Sequence, residues 1–346
     1  MPITTVSVRR AATALTALVL ATTAVAGCGA PDDGRGRAAP SPGAADTTPD
    51  TDPDTDPDTD QPDSRPSASR SAGTATPAPG GYLTLPLSAS GRVPVLRHGP
   101  RYSEGGKGAA GPGGTAGRTS GDRVVALTFD AALSPEDAKR AAEDGVRHDN
   151  PALFTALRRA KAPATVFMTG VWARTHRDRA RAIGRDRLFE VGSLSLSHHA
   201  FTPDCADLPA LAPDRHLAEV REGLKEIRAA GVARPTPYFR FPGGCHDDRS
   251  RRAVAPAGVT AVAGDVDAAD TGASDPEELA GRVLKKIRPG SVVILRWDRE
   301  RAPATAAAVG RLVPELRGRG YRLVHVSELV AAAMGRAPAP SPASSR

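Results

Sequence analysis

The sequence predicts an α/β fold, a distorted (β/α) barrel of about seven units behind a disordered N-terminal tether. Two observations carry this expectation. The apolar residues are concentrated: up to Ser120 the chain is mostly Pro, Gly, Thr, Asp and Ala, and eleven of its 13 aromatic residues, all but Tyr82 and Tyr102, lie beyond it. From Arg123 onward, short β-rich runs alternate with amphipathic helical patterns, which implies parallel strands joined by covering helices. Seven or so such units suit a closed barrel better than an open sheet.

The first 28 residues read as an export signal. Arg9 and Arg10 precede a 16-residue apolar run, residues 11–26, too short to span a bilayer as a mature helix. The run ends in Val25-Ala26-Gly27-Cys28, which resembles the lipobox of bacterial lipoproteins. That resemblance implies that Cys28 becomes the lipidated first residue, and that the mature protein sits outside the cytoplasm, lipid-anchored to the cell membrane. Residues 29–120 form the tether, with Thr51-Asp52-Pro53 repeated through Asp60, a composition that buries too little surface to offset chain entropy. A flexible chain of this length spans about 50 Å r.m.s., and Pro with like-charged Asp lengthens it. Within it, residues 82–96 alternate in short apolar stretches expected to form one or two edge strands, before a Gly-rich segment at 105–121.

The barrel is expected over 121–334, ahead of a disordered tail at 335–346. Residues 124–129 read as a buried strand, 151–160 as a helix with Pro151 in its first turn, and 164–168 as a strand. A helix at 171–183, a strand at 188–191, a helix at 214–230 capped by Gly231 and a strand at 237–241 follow. Next come a short helix near Arg249, a strand over 259–266, a helix over 275–287, a strand over 291–295, a helix over 302–319 and a last strand over 322–326.

The net charge of +7 arises beyond residue 120, because the first 120 residues balance eleven basic against eleven acidic side chains. Forty of the 46 cations are Arg in an Ala/Arg/Gly/Pro-rich chain, which reads as compositional bias, and no basic run is interleaved with aromatics. Nucleic acid is therefore disfavoured as a partner. Cys205 and Cys245 are an even pair in an oxidising compartment, so a disulfide is favoured over a metal or nucleophilic role.

Chemistry is expected at the strand ends. There stand Leu127-Thr128-Phe129-Asp130, then Glu190-Val191-Gly192-Ser193-Leu194-Ser195-Leu196-Ser197-His198, then Tyr238-Phe239-Arg240-Phe241-Pro242-Gly243-Gly244-Cys245. Gly264-Asp265-Val266-Asp267-Ala268-Ala269-Asp270 and Gly290-Ser291-Val292-Val293-Ile294-Leu295-Arg296 complete the series. In this order and spacing they resemble the five motifs of the polysaccharide deacetylases, the NodB-homology family of carbohydrate esterases, over about residues 122–332. The resemblance implies hydrolysis of N-acetyl groups on glycans. In that family a divalent metal, commonly zinc, is held by one Asp and two His, a second Asp acts as general base, and a His acts as general acid.

Several of those positions are changed here. Asp130 matches the base, but Ala131 and Ala132 stand where the metal-binding Asp would follow. Leu194 and His198 stand where two metal His residues belong, leaving His198 as the sole matching ligand, and Arg296 stands at the acid His. A guanidinium does not hand over a proton near neutrality. Arg240, which orients the base in the family, is present; Asp270 matches an acidic position, and the Gly243 backbone N–H fits an oxyanion donor.

No metal cofactor is therefore expected unless His148, Asp149 and Glu190 rebuild a site with Asp130 and His198; His199 reads as a surface residue. Three readings follow. In the first, a pseudoenzyme binds N-acetylated glycan such as peptidoglycan or chitin-type oligomers, as a monomer touching the membrane only through its lipid. In the second, a rearranged or metal-free site hydrolyses glycan. In the third, the barrel is an interaction module whose mouth is closed by a salt-bridge network of Asp130 with Arg240 and Arg296. A groove lined by Trp172, Trp297, Phe201 or Phe241 would count against that third reading.

Overall fold

The computed structural model describes residues 81–101 and 123–336. The signal segment, Cys28, most of the tether and residues 337–346 lie outside the described residues. The order of elements is β1 (Val95–Leu96), β2 (Arg123–Ala131), α1 (Pro135–Asp144), α2 (Pro151–Arg159), β3 (Ala164–Met168), α3 (Gly170–Thr175) and α4 (Arg177–Arg185). There follow β4 (Phe189–Ser193), α5 (His216–Ala229), β5 (Tyr238–Phe239), α6 (Asp248–Ala253), β6 (Thr260–Val262) and β7 (Val266–Asp267). The chain continues through α7 (Pro276–Lys286), β8 (Ser291–Arg296), α8 (Thr305–Gly318), β9 (Tyr321–Leu323) and α9 (Val326–Ala333).

The strands pair in parallel in the order β1-β6-β5-β4-β3-β2-β8-β7, with β9 beside the first residues of β2. The expected α/β barrel is thus the observed fold. Strand alternation sorts the side chains into two layers. From β2, Val125, Leu127, Phe129 and Ala131 join the core beneath the helices, with Leu153, Leu157, Trp172 and Leu312. Ala126 and Ala132 face the other way, into a cluster with Phe167, Leu194, Tyr238, Val262 and Val292 inside the barrel. Asp130 shares that inward parity, which places its carboxylate in the barrel rather than among the helices.

Residues 81–101 are part of the domain, so it begins well before the expected residue 121. β1 pairs with β6, while His98 bridges Ser291 at the start of β8 and the Gly99 N–H donates to Gly290 O at 2.8 Å. This short segment thereby links the two sides of the sheet. Leu96 is buried, Leu83 and Leu85 pack on the interior cluster, and the Tyr82 ring meets Tyr238 edge-on at 6.2 Å.

Other departures have local causes. The strand expected over 259–266 is two strands on opposite sides of the seam, β6 on β5 and β7 on β8. Gly264 makes the crossing at φ +82°, where a Cβ would lie 2.8 Å from Ile294 Cγ1. The helix expected over 171–183 is broken at His176, whose buried ring sits 5.1 Å from Trp172. Helix α1, where no element was expected, buries only Ala141 and packs Ala138 on the core, so its inward face is made of small residues. Its signals are its caps: the Ser134 hydroxyl accepts from Asp137 N–H at 3.0 Å, and Gly145 ends it at φ +67°. The last expected strand stops at Leu323, and the apolar residues Val326, Leu329 and Val330 belong to helix α9, which packs them on the interior cluster.

Candidate active site at the barrel mouth

The strand ends converge on Asp130. Arg240, directly after β5, donates from Nη1 to Asp130 Oδ1 at 2.5 Å, from Nη2 to Thr128 Oγ1 at 2.8 Å and from Nε to Val262 O at 3.0 Å. Its guanidinium lies 4.2 Å from the centre of the Phe167 ring. Asp130 and Arg240 are only 5% and 3% exposed, so the pair is a desolvated one whose members need each other. From β8, Arg296 Nη1 reaches the second carboxylate oxygen, Asp130 Oδ2, at 3.4 Å. Both oxygens of the family's base position therefore face guanidinium groups.

Asp270, beyond β7, is engaged elsewhere. Its Oδ2 accepts from the Arg296 backbone N–H at 2.8 Å and from the Thr305 hydroxyl at 2.7 Å. Burial raises its pKa against the pull of these donors. His198 follows β4 at φ +62°, its backbone N–H held by Ser195 Oγ at 3.0 Å. Burial pushes its imidazole down to about 4, opposed by Asp130 and reinforced by Arg296. His198 is therefore neutral at ordinary pH. His199 is half-buried, with Nε2 3.6 Å from Glu136 Oε2.

Gly243 sits on the loop after Arg240 at φ +65°, where an added Cβ would lie 2.5 Å from Cys205 Sγ. The expected disulfide joins Cys205 to Cys245 across 40 residues, tying the loop after β4 to the loop after β5. Glycine at 243 is thus required both by the turn and by the sulfur packed against it.

The residues do not fit the zinc of the resembled family. A cation needs several donors to replace its hydration. Ala132 and Leu194 belong to one buried apolar cluster, Ala131 lies under the helices, and Asp130 is already neutralised. The three residues that were candidates to rebuild a site are held elsewhere, which corrects that expectation. Asp149 accepts from Trp297 Nε1 at 2.9 Å and Arg179 Nε at 3.0 Å, and His148 pairs with Asp298 at 2.7 Å. Glu190 lies two residues below the level of Asp130 in the sheet register, bonded to the Ser327 hydroxyl. Among the described residues, no three His, Cys, Asp or Glu side chains converge as a metal site.

Trp172, Trp297, Phe201 and Phe241 line no open groove; they are buried in the two outer cores. Three contributors were missed in the sequence: Thr128 and Phe167, which hold Arg240, and Thr305, which holds Asp270. Thr128 was readable in principle, because a residue two before Asp130 shares its face.

The family model for polysaccharide deacetylases matches residues 117–262, and over this span the chain is similar to that NodB-homology family. Among its relatives, a peptidoglycan-N-acetylglucosamine deacetylase from Bacillus cereus is 26% identical over 60% of this chain and 89% of its own. A chitooligosaccharide deacetylase from Sinorhizobium fredii is 28% identical over 49% of this chain and 80% of its own. The solved structure of the Bc1960 peptidoglycan N-acetylglucosamine deacetylase superposes with a TM-score of 0.51 at 18% identity, covering 68% of this chain and 92% of that one, a likeness of fold.

Proposed function

We propose that this chain is a cell-envelope lipoprotein whose deacetylase-type barrel binds N-acetylated glycan without metal-dependent hydrolysis. The observation that carries the reading is the double engagement of Asp130 by Arg240 and Arg296, beside apolar residues at the ligand positions. Both Asp130 oxygens are already engaged by guanidinium groups, and Arg296, standing at the acid position, is no proton donor. The relatives' names support glycan as the ligand class, and the lipobox-like segment ending in Cys28 supports the location. A second reading, an interaction module with a closed mouth, draws on the burial of Trp172 and Trp297, which removes the stacking platforms that sugars favour.

The test combines elemental analysis of the purified protein with acetate release from peptidoglycan and chitin-type oligomers. We expect sub-stoichiometric zinc and no turnover; a stoichiometric metal with acetate release would overturn the proposal. The triple variant Ala132→Asp, Leu194→His, Arg296→His is expected to take up zinc, because positions 132 and 194 share the interior cluster next to Asp130. Failure of that variant to bind zinc while folded would mean that the motifs are misaligned.

A further inference from the structure

We infer that the barrel mouth selects a glycan bearing carboxylate groups, anchored by the Arg296 guanidinium. The inference rests on the glycan-binding reading above and names the chemistry of its ligand. It begins from an asymmetry between the two guanidiniums on Asp130. Arg240 is 3% exposed and uses all three nitrogens on protein acceptors. Arg296 has a side chain 36% exposed, and its contacts to Asp130 Oδ2 and Thr271 Oγ1 are both long, at 3.4 Å. Its Nη2 has no partner among the described residues.

The nearby acceptors do not complete it. Asp270 Oδ2 binds the Arg296 backbone nitrogen and Thr305, and no ion pair joins its carboxylate to the Arg296 guanidinium. Asp130 keeps Arg240 whether or not Arg296 turns outward. The neighbouring Arg301 is held by Asp137 at 2.7 Å and Asp298 at 3.6 Å, so it does not offer the same open fork.

A guanidinium with an open edge matches the two oxygens of a carboxylate, and such charge-assisted pairs are the stronger class of hydrogen bond. With Trp172 and Trp297 buried, neutral sugar faces find no indole platform, so selectivity falls to polar groups. An acidic oligosaccharide replaces the weak Asp130 contact of Arg296 with a bidentate one, while Asp130 remains neutralised. No bond is made or broken in this recognition.

The experiment is calorimetric titration of the folded wild-type protein with three tetrasaccharides: neutral N-acetylchitotetraose, an N-acetylglucosamine–N-acetylmuramic acid repeat, and a uronate-containing repeat. We expect about tenfold tighter binding of a carboxylate-bearing ligand than of the neutral one, with the difference shrinking as salt is raised. The two acidic arms report whether the lactyl or the uronic carboxylate is preferred. Arg296→Gln is expected to bring acidic binding down about tenfold, and Arg296→Lys to fall between, because it keeps the charge and loses the fork. Equal affinity for neutral and acidic ligands overturns this inference and leaves glycan binding standing. Binding of none of the three overturns both. The wild-type comparison needs no variant to fold.

Discussion

Asp130 is the residue on which the mouth depends. Replacing it with Asn leaves the Arg240 guanidinium buried with Thr128 and the Val262 carbonyl but without a counter-charge. Asp130→Asn should therefore lose about 3 kcal/mol in urea unfolding; a change below about 1 kcal/mol would show that the pair is not a structural one. His198 gives a pH signature. Its imidazole is held down to about 4 when folded, against about 6.5 for an unfolded histidine. Between those values the unfolded chain binds the extra proton, so this stability is present above about pH 6.5 and is lost as pH falls towards 4. His198→Asn should narrow the difference between urea midpoints measured at pH 7 and pH 4.5; an unaltered difference would assign the acid sensitivity to other groups. Asp130, Arg240 and Arg296 were legible through their resemblance to the family's motifs, and their opposite charges then suggested the pairing seen here. That Asp270 would turn to a backbone nitrogen and Thr305 was not legible, because that choice depends on the path of two loops.

Among the elements, β1 is short but ties two distant strands together. It carries only Val95 and Leu96, yet with His98 and Gly99 it joins β6 to the start of β8. Leu96→Ala should destabilise the domain by about 3 kcal/mol as a buried large-to-small change. A chain beginning at residue 102 should melt markedly lower and aggregate, since it bares the pairing edge of β6; an unchanged melting temperature would mean that the ring holds without β1. The alternating stretch at 82–96 signalled strands, but two residues are too short a pattern to announce a barrel stave. Helix α1 was silent for a different reason: its inward face is only Ala138 and Ala141, a weak apolar signal, and its caps mark it more clearly.

At the scale of the molecule, the disulfide ties two mouth loops across 40 residues. The double variant Cys205→Ser, Cys245→Ser should lose about 3 kcal/mol in the chain-entropy account, seen as a lower urea midpoint. Stability equal to the wild type would show that the loops are held by packing alone.

The order of amino acids by itself established the βα alternation, the strand-end motifs, the substitutions at the ligand positions and the pairing of the two cysteines. The alternation rests on local periodicity and the cysteine pairing on residue type and count, while the motifs and the substitutions within them rest on resemblance to a known family. Packing in three dimensions settled the rest: that 95–99 joins the two sides of the sheet, that 259–266 divides across the seam at Gly264, and that Asp149 and Glu190 serve other partners. Such outcomes are contests between distant groups for the same hydrogen bonds and the same buried volume, and spacing along a chain does not record who wins them.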